Sequence, residues 1–287
     1  MDSDLVDSLS RRPDSGGRVT EPPFFELLAC AVEAVRRAGE HARQNGHRRS
    51  EVVSRSAHDV KLALDHECQQ VIEKVIHGRY PAHAILGEEG SAGERESDIL
   101  WIVDPLDGTV NFSHGLPYWC HSVAVRVRGE TVAAAVYSPP LDELYTAVVG
   151  DAARRNGAVI HVSDVARLGD AVILTGLEKN FDQYAQSLEV ARAIASRAQK
   201  LRLMGAAALD LCQVACGRAD GFYESGLNVW DMAAGDLICR LAGASTRIVA
   251  KLSETKLRYL ATNGRIEAEL MGLLSSYGVW LEGGQGA

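Results

Sequence analysis

The sequence predicts an α+β fold, and three observations predict it. Before Pro81, apolar residues twice recur at helical spacing. Between His121 and Val149, strand-like runs follow one another with only turn residues between them, the pattern of an antiparallel meander. After Gly157, strand-like and helix-like stretches alternate.

Residues 1–20 carry Ser, Asp, Arg and Gly with little to bury, and are expected to be a disordered tail. Thr20-Glu21-Pro22-Pro23 reads as a helix start. The helix after it has Phe24, Leu27, Leu28, Ala31, Val32 and Val35 on one face and fades near Asn45-Gly46. A second helical period runs from Asp65 through Cys68, Val71, Ile72, Val75 and Ile76, and Pro81 ends it. Asp65 reads as its N-cap. Ala84-Ile85-Leu86 is a short strand, Gly87-Glu88-Glu89-Gly90 a turn, and Ser91 to Ser97 a polar loop. Trp101-Ile102-Val103 is the end of a buried strand, which should stop at Asp104 because Pro105 has no N–H to donate.

In the meander, His121 to Arg128 should alternate, Thr131 to Tyr137 is apolar, and Leu144 to Val149 is a third strand before a turn at Arg154-Arg155-Asn156-Gly157. Further on, Ala171 to Thr175 is a strand. Tyr184 to Ala198 is a helix burying Leu188, Val190, Ala191 and Ile194, and Ala206 to Gly217 is an Ala-rich helix. Asp220 to Glu224 is a turn and strand, Trp230-Asp231 opens another helix, Ile248-Val249 and Tyr259 to Ala261 are strands, and Arg265 to Leu274 closes the fold.

Chemistry concentrates at Trp101 to Gly115. Asp104 sits at a strand tip, Asp107 follows across a turn that Gly108 permits, and Thr109 adds a hydroxyl. Two carboxylates and a hydroxyl this close suit a hard cation such as Mg²⁺, which takes oxygen ligands and keeps waters for itself. The spacing alone also suits an Asx-rich surface turn. The longer string Asp104-Pro105-Leu106-Asp107-Gly108-Thr109-Val110-Asn111-Phe112 resembles the signature D-P-(I/L)-D-G-T-x-N-F of the inositol monophosphatase family. Val110 stands where Thr or Ser is usual and is expected to be tolerated. Trp230-Asp231-Met232-Ala233-Ala234-Gly235 resembles the second family motif, W-D-x-A-(A/G)-G, and Gly87-Glu88-Glu89 its G-E-E. Asp65 matches the last residue of the family's D-L-V-T-x-x-D, although Leu62 and Leu64 depart from that pattern. A lysine that some members use in this loop has no clear equivalent, Ser54 or Arg55 falling closest.

The resemblance implies a layered α/β sandwich of the inositol monophosphatase or sugar phosphatase type. Residues 21–150 would form an N-terminal α+β half with an antiparallel sheet and most metal ligands, and residues 151–287 a C-terminal α/β half with a mixed sheet. It implies Mg²⁺-dependent, Li⁺-sensitive hydrolysis of a small phosphate monoester by water. Inositol monophosphate is the expected substrate. The same fold elsewhere serves fructose 1,6-bisphosphate, adenosine 3′,5′-bisphosphate or histidinol phosphate, or a non-catalytic binding role. Two or three Mg²⁺ are expected per site, held by Glu88, Asp104, the Leu106 carbonyl, Asp107 and Asp231. Thr109, supported by Asp65, would orient the attacking water, and Glu88 would assist as base. Backbone N–H groups of Gly108 and Thr109 would receive the phosphate. Glu224 and Ala207 match substrate contacts, so a phosphorylated polyol or sugar is the expected partner. A homodimer is implied as well.

Bulk properties set the remaining expectations. The 287 residues are 46% hydrophobic and 24% charged, as in an ordinary globular protein. A formal charge of −8 is read as excluding nucleic acid, whose phosphates need clustered Lys and Arg. The six cysteines form neither C-x-x-C nor a zinc-finger pattern and are expected to be reduced and mostly buried. No signal peptide and no membrane-length apolar run is apparent, so a cytoplasmic enzyme with no membrane partner is expected. There is no Walker A sequence, no strand followed by G-x-G-x-x-G, and no G-x-S-x-G elbow.

Overall fold

A computed structural model of the chain describes residues 23–55, 60–92, 97–177 and 181–277. The expected tail, the Thr20-Glu21-Pro22 helix start, Asp59 and most of the 91–97 loop lie outside the described residues. Helix α1 (Phe24–Gln44) opens directly after Pro23, which occupies the N-cap. Its buried stripe is Leu27, Cys30, Ala31, Ala34, Val35, Ala38, Gly39 and Ala42. The expected Leu28 and Val32 fall at the edge of that stripe, only partly buried. The small residues let α1 lie close to its neighbours. A Cβ on Gly39 would meet Tyr137 Cε1 at 2.7 Å.

Strands β1 (Val52–Arg55) and β2 (Val60–Leu62) form a small antiparallel pair before helix α2 (Ala63–Arg79). Then come β3 (Ala84–Gly87), β4 (Gly90–Ala92), β5 (Ile99–Asp107), the short helix α3 (Thr109–His114), β6 (Cys120–Val127), β7 (Glu130–Ser138), β8 (Glu143–Val148), β9 (Arg154–Arg155) and β10 (Ala158–Val159). The strands from β3 onward make one eight-stranded sheet in the order β10-β9-β8-β7-β6-β5-β3-β4. The expected meander is present, but β3 runs parallel to β5, so this sheet is mixed. Arg154-Arg155-Asn156-Gly157 is the start of a tight hairpin. Asn156 and Gly157 both take positive φ (49° and 82°), the geometry that Asn-Gly turns favour.

The second part comprises β11 (Val172–Thr175), α4 (Phe181–Arg197), β12 (Lys200–Arg202), α5 (Ala207–Ala215), β13 (Gly221–Asn228), α6 (Val229–Leu241), β14 (Ser245–Lys251), β15 (Lys256–Thr262) and α7 (Glu267–Ser275). Its five strands order as β12-β11-β13-β15-β14.

Three cores separate the layers, and strand alternation shows which face meets which. Trp101, Val103, Val123, Val125, Ala133 and Ala135 join the apolar faces of α1 and α2. Their chain neighbours Ile102, Ala124 and Ala134 join α5 and α6, and with them Phe222, Leu257 and Tyr259 of the second sheet. The far face of that sheet packs Ile173, Tyr223 and Leu260 against Val190 and Ile194 of α4 and Leu270 and Leu274 of α7. The result is an α/β layered sandwich, helices and sheets stacked in alternation.

Both faces of the large sheet are therefore covered. That is why β6 is buried at every position, His121 and Arg126 included, rather than alternating as expected. In α4, Leu188 points outward and is 46% exposed, while Val190, Ala191 and Ile194 are buried as expected and Ala193 joins them. All six cysteines are free, and all but Cys216 are buried. Among the described residues, no helix is long and apolar enough to cross a membrane.

Candidate active site

The site is built on an irregularity in β5. Its ladder with β6 is regular down to Asp104↔Ser122, then resumes at Asp107↔Cys120 with one extra residue on β5. Pro105 has no N–H to offer there, so the strand bulges instead of stopping at Asp104 as expected. The bulge is tied locally. Leu106 N–H donates to Asp104 Oδ1 at 3.1 Å, and Thr109 Oγ1 donates to the Leu106 carbonyl at 2.9 Å. Gly108 then takes φ 88°, ψ 35°. A Cβ there would stand 3.0 Å from the Tyr118 carbonyl and 3.1 Å from Ala206 Cβ, so both the conformation and the space call for glycine.

Other elements bring the remaining groups. Glu88 sits in the β3–β4 turn, held beside β5 by its N–H to the Val103 carbonyl at 3.2 Å. Asp231 is in the first turn of α6, where its Oδ2 accepts the Asn228 N–H at 2.6 Å. Asp107 receives two N–H groups from the start of α5, Ala207 at 3.2 Å and Ala208 at 2.8 Å. Glu224 of β13 fills space that any side chain at residue 176 would occupy, since a Cβ on Gly176 would overlap its carboxylate.

Glu88, Asp104, Leu106, Asp107, Gly108, Thr109, Ala207, Glu224 and Asp231 thus line one cleft of about 350 Å³. Asp65 is not among its lining residues. It lies inside the first turn of α2, where its Oδ2 accepts the Leu62 N–H at 2.7 Å, so it reaches back from the third helical position instead of serving as the N-cap.

The lining is electrostatically frustrated. Asp104 is fully buried, and its carboxyl is pushed well above the usual range, first by that burial and then by Glu88, Asp107 and Asp231. Burial raises Asp107 to about 6 against the pull of its backbone donors and of Cys120. Such a wall of carboxylates and a carbonyl calls for hard cations. Among the described residues, no set of three His, Cys, Asp or Glu side chains is grouped so as to hold a metal ion. An open wall still fits Mg²⁺, which takes one or two carboxylates and completes its shell with water and substrate phosphate. A closed cage would suit calcium or zinc better.

A model of the inositol monophosphatase family matches residues 25–277. The chain belongs to this family. It is 39% identical over 222 residues to the Nus factor SuhB of Vibrio cholerae, covering 76% of this chain and 83% of that one. A crystal structure of the extragenic suppressor protein suhB from Bartonella henselae superposes with a TM-score of 0.82 at 33% identity, covering 87% of this chain and 98% of that one. The inositol monophosphatase of Anabaena (Nostoc) gives a TM-score of 0.77 at 32% identity over 88% and 96%. Members of the inositol monophosphatase family are in general metal-dependent phosphatases.

The relatives' name corrects one expectation. Homologues named as Nus factors overturn the exclusion of nucleic acid from this chain's partners. The physical error was to read a whole-chain charge of −8 as a property of every surface. Net charge governs long-range steering, while contacts are made by local patches.

Within this inositol monophosphatase fold, sequence reasoning also missed residues. One is Lys61, whose Nζ lies 2.9 Å from both Glu89 oxygens, with His66 Nε2 at 3.2 Å. That pairing holds Glu89 with only 3% of its side chain exposed and leaves Glu88 to face the cleft. Lys61 takes the place of an apolar residue in the family's D-L-V-T-x-x-D, and that substitution was the available signal. Leu177, Tyr184 and Leu227 also line the cleft, from separate segments that no local motif links, as does Val110 within the central motif.

Proposed function

We propose that the chain is a Mg²⁺-dependent phosphomonoesterase acting on a small phosphorylated polyol, inositol monophosphate above all. The observation that carries this reading is that Glu88, Asp104, Asp107, Thr109 and Asp231 line one cleft together with Glu224. Glu88, Asp104, the Leu106 carbonyl, Asp107 and Asp231 would hold the cations. When bound, Mg²⁺ would supply Lewis acidity toward the phosphoryl oxygens and make a nucleophile available from water near neutral pH.

The chain's own groups do the rest. Thr109 commits its only hydroxyl hydrogen to the Leu106 carbonyl. Its oxygen lone pairs are then left to accept from a water, which turns that water's own lone pair toward the phosphorus. Glu88, partly exposed at the cleft wall, is placed to take a proton. The backbone N–H groups of Gly108 and Thr109, both in the cleft lining, would receive the phosphate. Glu224 would accept hydrogen bonds from ring hydroxyls, and Ala207, in the same lining, is small enough for the ring to approach. Inhibition by Li⁺, assembly as a homodimer and a cytoplasmic location belong to the same reading.

The test is phosphate release, with and without Mg²⁺, from inositol 1-phosphate, fructose 1,6-bisphosphate, adenosine 3′,5′-bisphosphate and histidinol phosphate. Mg²⁺-dependent release led by inositol 1-phosphate supports the proposal. A second reading rests on the name Nus factor borne by relatives. In it the chain keeps the fold and cleft but works by binding other macromolecules. A chain that binds Mg²⁺ and releases no phosphate from any of the four esters would favour this second reading.

A further inference from the structure

The bulge in β5 is what lets Asp104 and Asp107 line the same cleft. In a regular strand, residues three apart point to opposite faces. With the extra residue, both carboxylates lie at the cleft. A bulge leaves carbonyls outside the ladder, and buried carbonyls need donors. The Leu106 carbonyl has Thr109. The Pro105 carbonyl is taken by Nδ1 of His121, which reaches across from β6.

A carbonyl can only accept, so this contact settles the tautomer: Nδ1 carries the hydrogen and Nε2 presents a lone pair. His121 is wholly buried, and among the described residues its Nε2 has no hydrogen-bond partner. A buried polar atom left unsatisfied destabilises the fold, so a histidine here is expensive unless its other nitrogen has a task. Neighbouring rings hold the imidazole in place. Trp119 meets it edge-on, with centroids 5.6 Å apart at 84°. Phe112 in turn meets Trp119 at 4.9 Å and 87°. A chain of contacts therefore runs from Phe112, at the end of the central motif, through Trp119 and His121 back to Pro105 at its beginning.

We infer that His121 is a positioning residue, whose Nδ1–H pins the Pro105 carbonyl and so fixes the bulge that aims Asp104 and Asp107 at one cleft. Its consequence for metal binding rests on the reading of that cleft given above, whereas the pin itself does not.

The test uses two replacements of similar polarity on the full chain. In His121→Asn, the side-chain amide nitrogen falls where Nδ1 stood. In His121→Gln, it falls nearer the place of Nε2. Two quantities are read. Amide hydrogen exchange at Leu106, Asp107 and Gly108 needs no metal, and calorimetric titration with Mg²⁺ reports the cleft. The expected result is that His121→Gln speeds exchange at these amides and weakens Mg²⁺ binding by about 10- to 100-fold, as loss of a group supporting metal ligands does. His121→Asn should restore both toward wild type. A merely structural histidine would give no such difference between Asn and Gln. Exchange at these amides that is unchanged in His121→Gln, or equally fast in both variants, overturns the inference. Faster exchange in His121→Gln with recovery in His121→Asn upholds the pin even if the wild-type chain takes up no Mg²⁺, and in that case it is the phosphatase reading that fails.

Discussion

Replacing Asp107 by Asn should stabilise the metal-free protein. In the fold its carboxyl is raised from 3.8 to about 6, chiefly by burial. At about 1.36 kcal/mol per pKa unit, the ionised group costs the folded state about 3 kcal/mol at pH 8. Asn keeps one acceptor oxygen and gives up one of the two N–H groups now donated by Ala207 and Ala208. That loss offsets about 1 kcal/mol. The net gain is about 2 kcal/mol at pH 8, or about 4–8 °C in Tm for a chain of this size.

The pH dependence has a definite sign. A carboxyl whose pKa is higher in the folded than in the unfolded chain costs stability above its folded value. The cost is relieved as pH falls from 6 toward 3.8. The advantage of the variant should therefore shrink from pH 8 and largely vanish by about pH 4. His121, which burial lowers to about 4, loses stability over the same range, but in both proteins, so it cancels in the difference. The assay is urea unfolding of both proteins in EDTA at several pH values. Adding Mg²⁺ should then raise the wild-type midpoint and leave that of the variant nearly unmoved. A variant less stable than wild type at pH 8, or a difference of equal size at pH 8 and pH 4.5, would refute the picture of a strained, cation-seeking wall.

Three further outcomes follow from the geometry. Asp231→Asn should lower turnover of inositol 1-phosphate at least about 100-fold while unfolding within about 1 kcal/mol of wild type, because the amide oxygen can still accept the Asn228 N–H; wild-type kcat would sink its role in cation binding. Gly176→Ala should displace the Glu224 carboxylate, so KM for a polyol phosphate should rise more than kcat falls; unchanged KM would detach Glu224 from substrate binding. Lys61→Met should leave the buried Glu89 with His66 but without its lysine and destabilise the chain by about 1–3 kcal/mol, which a thermal melt would show.

The two motifs, the helical periods and the meander were legible because each is local. A string such as Asp104 to Phe112 carries its meaning in adjacent residues, and an amphipathic period reports one buried face. What decides the site is not local. Glu88 and Glu89 are neighbours with the same side chain, and Lys61 arriving from β2, with His66, separates their roles. His121 has no motif around it and gains its role from standing beside a bulge on another strand. β6 could not alternate once layers closed over both of its faces. By itself, then, the sequence determined the family, the element types and most of the residues that reach the cleft. The tertiary structure decided where β5 bulges, which carboxylates feel one another and which donors hold them. Such contacts join segments far apart in the chain, and their geometry exists only after the layers have packed.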